Sequence, residues 1–211
     1  MKTPPPDCDL CPRLLDFRKK NQEKFPDKFN APVPAFGPVK ARLLIAGLAP
    51  GLKGANFTGR PFTGDYAGDL LFKTLLKQGF AKGRYDACAD DSLRLVDCRI
   101  VNAVRCVPPE NKPTTQEIQT CRQFFMSDLE NMINLRVILA LGRIAHDSVL
   151  KSFGHTLSKF KFAHQAEHRL TDDIIMVDSY HCSRYNTQTG RLTDDMFESA
   201  VSRCRSLVNP V

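Results

Sequence analysis

From Arg42 onward the chain repeats one unit, a short apolar run followed by an amphipathic helical pattern, and few folds accommodate that alternation. The runs are RLLIAG (42–47), CRIVNAV (98–104), RVILALG (136–142) and DIIMVDSYH (173–181). Short apolar runs bounded by turn residues read as strands buried on both faces. Helical crossovers between such strands imply parallel pairing with right-handed connections, and a sheet covered by helices on both sides.

The helical segments carry their own punctuation. GDLLFKTLLKQG (68–79) places Leu71, Leu75 and Gln78 on one face, and Gly79 is a natural stop. In TTQEIQTCRQFFMSDLENMI (114–133), Thr114 and Glu117 form a capping box. Ile118, Cys121, Phe125, Leu129 and Met132 then step by three and four along one stripe. RIAHDSVLKSFG (143–154) is a further helix, and Thr193 caps the closing one. Residues 1–40, rich in Pro and Lys, read as irregular apart from a short helix near Arg13–Lys24. The expectation is a single domain over 1–211.

Composition narrows the class. Charged residues are 25% and hydrophobic ones 42%, ordinary for a soluble globular protein. No apolar run approaches the ~18 residues of a spanning helix, and the N-terminus has no signal-peptide stretch. The expectation is a cytoplasmic protein without a membrane partner, in a compartment that keeps thiols reduced. Eight cysteines there argue for metal ligation plus spare thiols. The net charge of +7 favours a polyanionic partner such as nucleic acid.

Four of the cysteines stand in two pairs. Cys8 and Cys11 lie in PPPDCDLCPR, and Cys106 and Cys121 bracket CVPPENKPTTQEIQTC. They read as one four-thiolate site that brings the start of the chain against its middle. Zinc and [4Fe–4S] both accept four thiolates. A zinc ribbon usually has two short knuckles, and the wide second pair favours a cluster. Cys88, Cys98, Cys182 and Cys204 lack partner spacing and read as free thiols.

In a parallel sheet, ligands bind at the carboxyl ends of the strands. Three such ends carry unusual residues: Gly47–Gly51, Asn102–Cys106 and Asp178–His181. The first opens a glycine-rich loop, GLAPGLKGANFTGRPFTGD (47–65), which is neither a P-loop nor a dinucleotide fingerprint. Near its end Phe62 is either a core plug or a stacking platform. Of the two carboxylates there, Asp69 suits the helix start and Asp65 is freer to face a ligand. Asn102 is either a satisfied core amide or a reader of a ligand edge. His181 leaves the sheet where a ligand would lie. Ser183, Asn186, Thr187 and Thr189 suit phosphate oxygens, with Arg184 and Arg191 adding charge. His146, His155, His164 and His168 read as surface or core residues.

Taken together, the quartet and the segments GLAPG, TGRPFTGD, NAVRCVPPENKPT and SYHCSRYNTQTGRLT resemble the iron–sulfur uracil-DNA glycosylases, most of all family 5 (type b). The resemblance runs from Cys8 to about Thr193. It implies a three-layer α/β/α sandwich on a four-stranded parallel sheet, and a [4Fe–4S] cluster on Cys8, Cys11, Cys106 and Cys121. It implies removal of uracil, and of other deaminated or damaged bases, from double- or single-stranded DNA; a monomer is the default expectation, cytoplasmic with its activity at the nucleoid. Asp65, Asn102 and His181 match catalytic positions. Gly47, Leu48, Ala49, Gly51, Phe62, Asn102, Ser183 and Arg184 match substrate-binding ones. Leu48 and Ala49 stand where other branches carry a water-activating polar residue. Cys182 replaces a proline usual after the histidine, which is expected to loosen that loop and leave a thiol near the site. No lysine matches a Schiff-base position, so no strand cleavage is expected. Tyr185, Gln188 and Leu192 are candidates for the residue that fills the gap left by a flipped base. Two rival readings remain, a cluster-based redox protein and a damaged-DNA-binding protein without catalysis.

Overall fold

The computed structural model describes residues 1–209. In chain order its elements are α1 (Pro12–Lys24), β1 (Leu43–Gly47), α2 (Ala55–Thr58), α3 (Tyr66–Lys77), β2 (Ala81–Lys82), β3 (Arg94–Leu95), β4 (Cys98–Asn102), α4 (Thr115–Asn131), β5 (Val137–Leu141), α5 (Arg143–Ser152), β6 (Glu167–Arg169), β7 (Ile175–Ser179), α6 (Arg184–Gln188) and α7 (Asp194–Val208). The main sheet has five strands in the order β4-β1-β5-β7-β6. The four strands read from the sequence are its parallel members. The fifth, β6, corrects the expected four-stranded sheet by adding an antiparallel edge on β7. Its residues Glu167, His168 and Arg169 are short, polar and at most half-buried, so no apolar run announces it. β2 and β3 form a separate two-stranded ribbon.

Strand alternation divides the core. Leu43, Ile45, Val137, Leu139 and Val177 face α3 and α7, where Leu71, Phe72, Leu75, Phe197 and Val201 pack. Leu44, Ala46, Ile138, Ala140 and Met176 face the other way, onto Phe125, Val149 and Leu150 of α4 and α5. Each of the Val, Leu, Ile, Phe and Met side chains among them contributes roughly 1.5–3 kcal/mol by leaving water. A third, smaller core joins Leu14 of α1, Val104 and Phe124 to the four paired cysteines. The stripe on α4 therefore serves two cores, with Ile118 and Cys121 in one and Phe125, Leu129 and Met132 in the other.

The capping box is present: Thr114 accepts from the Glu117 amide while the Glu117 side chain accepts from the Thr114 amide. Thr193 caps α7 as expected. Residues before β1 are pinned by Asn30, whose side-chain amide donates to the Phe25 carbonyl at 2.7 Å and whose Oδ1 accepts from Asn56 at 2.8 Å. No helix among the described residues is long and apolar enough to cross a membrane.

Candidate active site

A cavity of about 370 Å³ opens at the carboxyl ends of the parallel strands. Among its walls are Leu48, Ala49 and Gly51 after β1, Phe62 and Asp65 before α3, Asn102 at the end of β4, and His181, Ser183 and Arg184 after β7. Segments far apart in sequence converge here because the crossovers return each strand to the same edge.

Gly47 is not a wall but a spacer behind it. It pairs with Asn102 across the β1–β4 ladder. A Cβ there would collide with Asn102 Oδ1 and lie 2.9 Å from the Phe62 ring, so glycine is what lets those two side chains occupy the cavity wall. Asn102 is 3% exposed, and its Oδ1 is buried without a hydrogen-bond partner. A buried carbonyl oxygen left unpaired is costly unless a ligand completes it.

Phe62 is 7% exposed and takes a left-handed backbone, φ 55°. For a bulky residue that conformation costs on the order of 1–3 kcal/mol and persists only if its surroundings enforce it. They do: the Tyr85 hydroxyl donates to the Phe62 carbonyl at 3.4 Å and accepts from the Gly64 amide at 3.3 Å. The ring lies near-parallel to His181, centroids 5.8 Å apart at 28°. A base held between two rings would need about 7 Å, twice a contact of roughly 3.5 Å, so a ligand ring has only the outer face of Phe62.

Asp65, not Asp69, caps α3, a reversal of the expected division of labour: its Oδ1 accepts from the Gly68 amide at 3.2 Å. Its other oxygen faces the glycine loop, where a Cβ on Gly51 would stand 3.1 Å from Oδ2. Burial raises the carboxyl above its ordinary range, the Gly68 amide opposes that, and the Asp69 charge adds to it. His181 is partly exposed, and burial lowers its imidazole to about 4, so the ring is neutral near pH 7. The Asn186 amide donates to the His181 carbonyl at 2.8 Å and holds that turn.

Other expectations are revised. Cys182 is fully buried, and its thiol lies 3.4 Å from the Ala67 carbonyl, so it ties the last loop to α3 instead of loosening it. Leu192 is fully buried and cannot enter DNA, whereas Tyr185 is 71% exposed. The Ser183, Thr187 and Thr189 hydroxyls serve backbone groups of α6, and Arg191 lies over the Tyr180 ring. Asp178 does not join the site: it is buried between His146 at 2.8 Å and His168 at 2.9 Å, which are thereby core residues. Asn111 escaped the sequence reading, yet it lines the cavity, in a left-handed conformation that asparagine tolerates well. Its place in PPENKP, between two candidate metal ligands, was the available signal.

The paired cysteines come together as expected. Cys8, Cys11, Cys106 and Cys121 line one cavity beside Leu14, Val104 and Phe124. No three of them, among the described residues, bring their sulfurs within 4.8 Å of one another. A single zinc, about 2.3 Å from each sulfur, would hold them about 3.8 Å apart. Thiolates on separate corners of a four-iron cube stand wider, so the donor set fits a cluster better than zinc. Ala49 packs against this small core, and the Val104 amide donates to the Leu48 carbonyl at 2.9 Å. The cysteine core and the first wall of the cavity are thus in contact.

Comparison with known proteins agrees with this geometry. A family model described as "Uracil DNA glycosylase superfamily" matches residues 34–205. The chain is 41% identical to the type-5 uracil-DNA glycosylase of Thermus thermophilus, over 95% of this chain and 93% of that one. It is 35% identical to that of Pyrobaculum aerophilum, over 93% and 87%, and 38% identical to that of Mycobacterium leprae, over 92% and 90%. With these matches and this cavity, the chain belongs to the uracil DNA glycosylase superfamily, among its type-5 members.

Proposed function

We propose that this protein hydrolyses the N-glycosidic bond of uracil in DNA and leaves an abasic site, the opening step of base-excision repair. One observation carries the reading: a carboxylate, an unpartnered buried amide and a neutral imidazole converge in one cavity at the strand ends.

The target base must first leave the helix, at a cost of roughly a few kcal/mol, least at a mismatch. It then stacks on the outer face of Phe62, while the Asn102 carboxamide pairs with its edge and regains the hydrogen bond its Oδ1 lacks. Asn111 brings a second amide to the same wall. As the bond stretches, positive charge grows on the sugar and negative charge on the base. Asp65, oriented by the α3 amide, stabilises the cation and positions water. His181 hydrogen-bonds the base oxygen as a neutral donor. Leu48 and Ala49 leave that side of the cavity apolar, which suits other deaminated bases as well as uracil.

Cys8, Cys11, Cys106 and Cys121 would hold a [4Fe–4S] cluster. Through these residues it would cross-link the N-terminal segment to α4 and pin the loop carrying Asn111. Double-stranded DNA is the substrate we favour. Tyr185 fills the gap in the stack, and Arg184, over the Tyr66 ring, meets the backbone. We favour a monofunctional enzyme, because no lysine among the described residues lines the cavity that holds Asn102 and His181.

The test is incubation with single- and double-stranded uracil oligonucleotides, then hot alkali. Breaks at uracil alone support the reading. Retarded but alkali-stable DNA would mean binding without catalysis and would overturn it. A borohydride-trapped adduct would refute the monofunctional assignment.

A further inference from the structure

Four arginines are buried: Arg18, Arg60, Arg99 and Arg105. Three have carboxylate partners, Arg60 in Asp91, and Arg99 and Arg105 together in Asp128. Arg18 is 3% exposed and forms no ion pair with a carboxylate among the described residues. It shares the inner face of α1 with Leu14 and Asn21, at spacings of four and three. Its guanidinium is directed at the cysteine site. One arm reaches Cys106 Sγ at 3.5 Å and the other donates to the Cys8 carbonyl at 2.7 Å. It therefore bridges the two halves of the quartet, the segment before α1 and the one after β4. Arg13, the other arginine of α1, is engaged with Glu117.

A buried cation without an anion is strongly disfavoured. The negative group within its reach would be the thiolates of the quartet once they hold a metal. We propose that Arg18 is the buried counter-charge of the metal–thiolate group, retaining the metal and raising its reduction potential. The proposal rests on the cluster reading above. A [4Fe–4S]²⁺ core with four thiolates carries two net negative charges, and gaining one electron makes three. A fixed positive charge against one sulfur favours the more negative state, and hydrogen bonds to cluster sulfurs act in the same direction. Arg18 is thus a positioning and tuning residue that does not approach the DNA base.

The experiment compares the intact protein with Arg18→Met and Arg18→Lys, all assembled with iron and sulfide. Iron and sulfide content of the unsubstituted protein tests the cluster reading by itself. Film voltammetry, in which the electrode supplies the electron, then reads the potential, and loss of metal to a chelator reads retention. The expected result is a more negative potential and faster metal loss in Arg18→Met, with Arg18→Lys close to the unsubstituted protein on both. Unchanged potential and retention in Arg18→Met would overturn the proposal. If Arg18→Met does not fold, Arg18→Lys decides: full loading with a near-native potential supports the counter-charge, and failure to load overturns it. If the site proves to hold another metal, the chelator rates still read the counter-charge, with faster loss in the methionine variant supporting it and equal loss overturning it.

Discussion

Arg60 and Asp91 meet at two points, each guanidinium nitrogen 2.7 Å from its own carboxylate oxygen, across 31 residues of sequence. Arg60 also donates to Thr63 Oγ1 at 2.8 Å and lies over the rings of Phe36, Phe72 and Tyr85. The pair thus anchors the segment that holds Phe62 in its left-handed turn. Asp91→Ala strands a buried guanidinium and is expected to cost about 3–5 kcal/mol. Urea unfolding measures that loss, and a fall in kcat should accompany it as Phe62 loses its support.

The same pair has a pH signature. The Arg60 hydrogen bond lowers the Asp91 carboxyl to about 2. Its unfolded value is near ~3.9, so the stabilisation is complete above that and is lost as pH falls through about 2. Thermal unfolding of the parent and Asp91→Asn should therefore differ most at neutral pH and converge in strong acid.

Activity should report Asp65. Its carboxyl is raised by burial, and its ionised form is the one that supports the developing cation. The acid limb of kcat is expected at higher pH than the ~3.9 of an ordinary aspartate. His181 is lowered to about 4 and is neutral over the working range. Asp65→Asn should abolish the limb along with most of the rate. An unshifted limb in Asp65→Asn would assign it to another group.

Stacking on Phe62 predicts a binding effect. Loss of one base–aromatic stack is worth about 1–3 kcal/mol. Phe62→Ala should lower kcat/KM by roughly five- to 150-fold on uracil oligonucleotides, which is that free energy expressed as a ratio of rates. A change below twofold would place the base elsewhere.

Tyr185 predicts a context effect. If it fills the gap left by the flipped base, Tyr185→Ala should slow excision opposite adenine more than opposite guanine, and single strands least, because an unpaired base has little stacking to lose. Equal losses on all three substrates would remove Tyr185 from that role.

Local patterns carried much of the fold. Four apolar runs became the parallel strands, Thr114 and Thr193 capped the helices they precede, and Gly79 terminates its helix with φ 70°. These are short-range effects of periodicity, hydrogen-bond geometry and steric freedom, and they are written within a few residues. β6 escaped because a three-residue polar edge strand is created by its neighbour β7 and has no apolar period of its own.

The candidate site divides in the same way. Asp65, Phe62, Asn102, His181 and the cysteine pairs could be named from residue type, place at a strand end and motif order. Their electrostatics could not. That Asp65 caps α3, that Asn102 Oδ1 is unpaired, that Cys182 is tied to Ala67 and that Asp178 turns away to two histidines all depend on which side of a strand or loop each group occupies. Arg18 is the clearest case. In sequence it is one more basic residue in a polar helix, and only the packing of α1 against α4 and the segment that follows β4 makes it a buried charge facing thiols. The chain by itself determined which elements form and which chemistries it carries, because those follow from neighbours in sequence. Tertiary structure decided which groups lose water and which charges meet, because desolvation and pairing depend on contacts between segments a hundred residues apart.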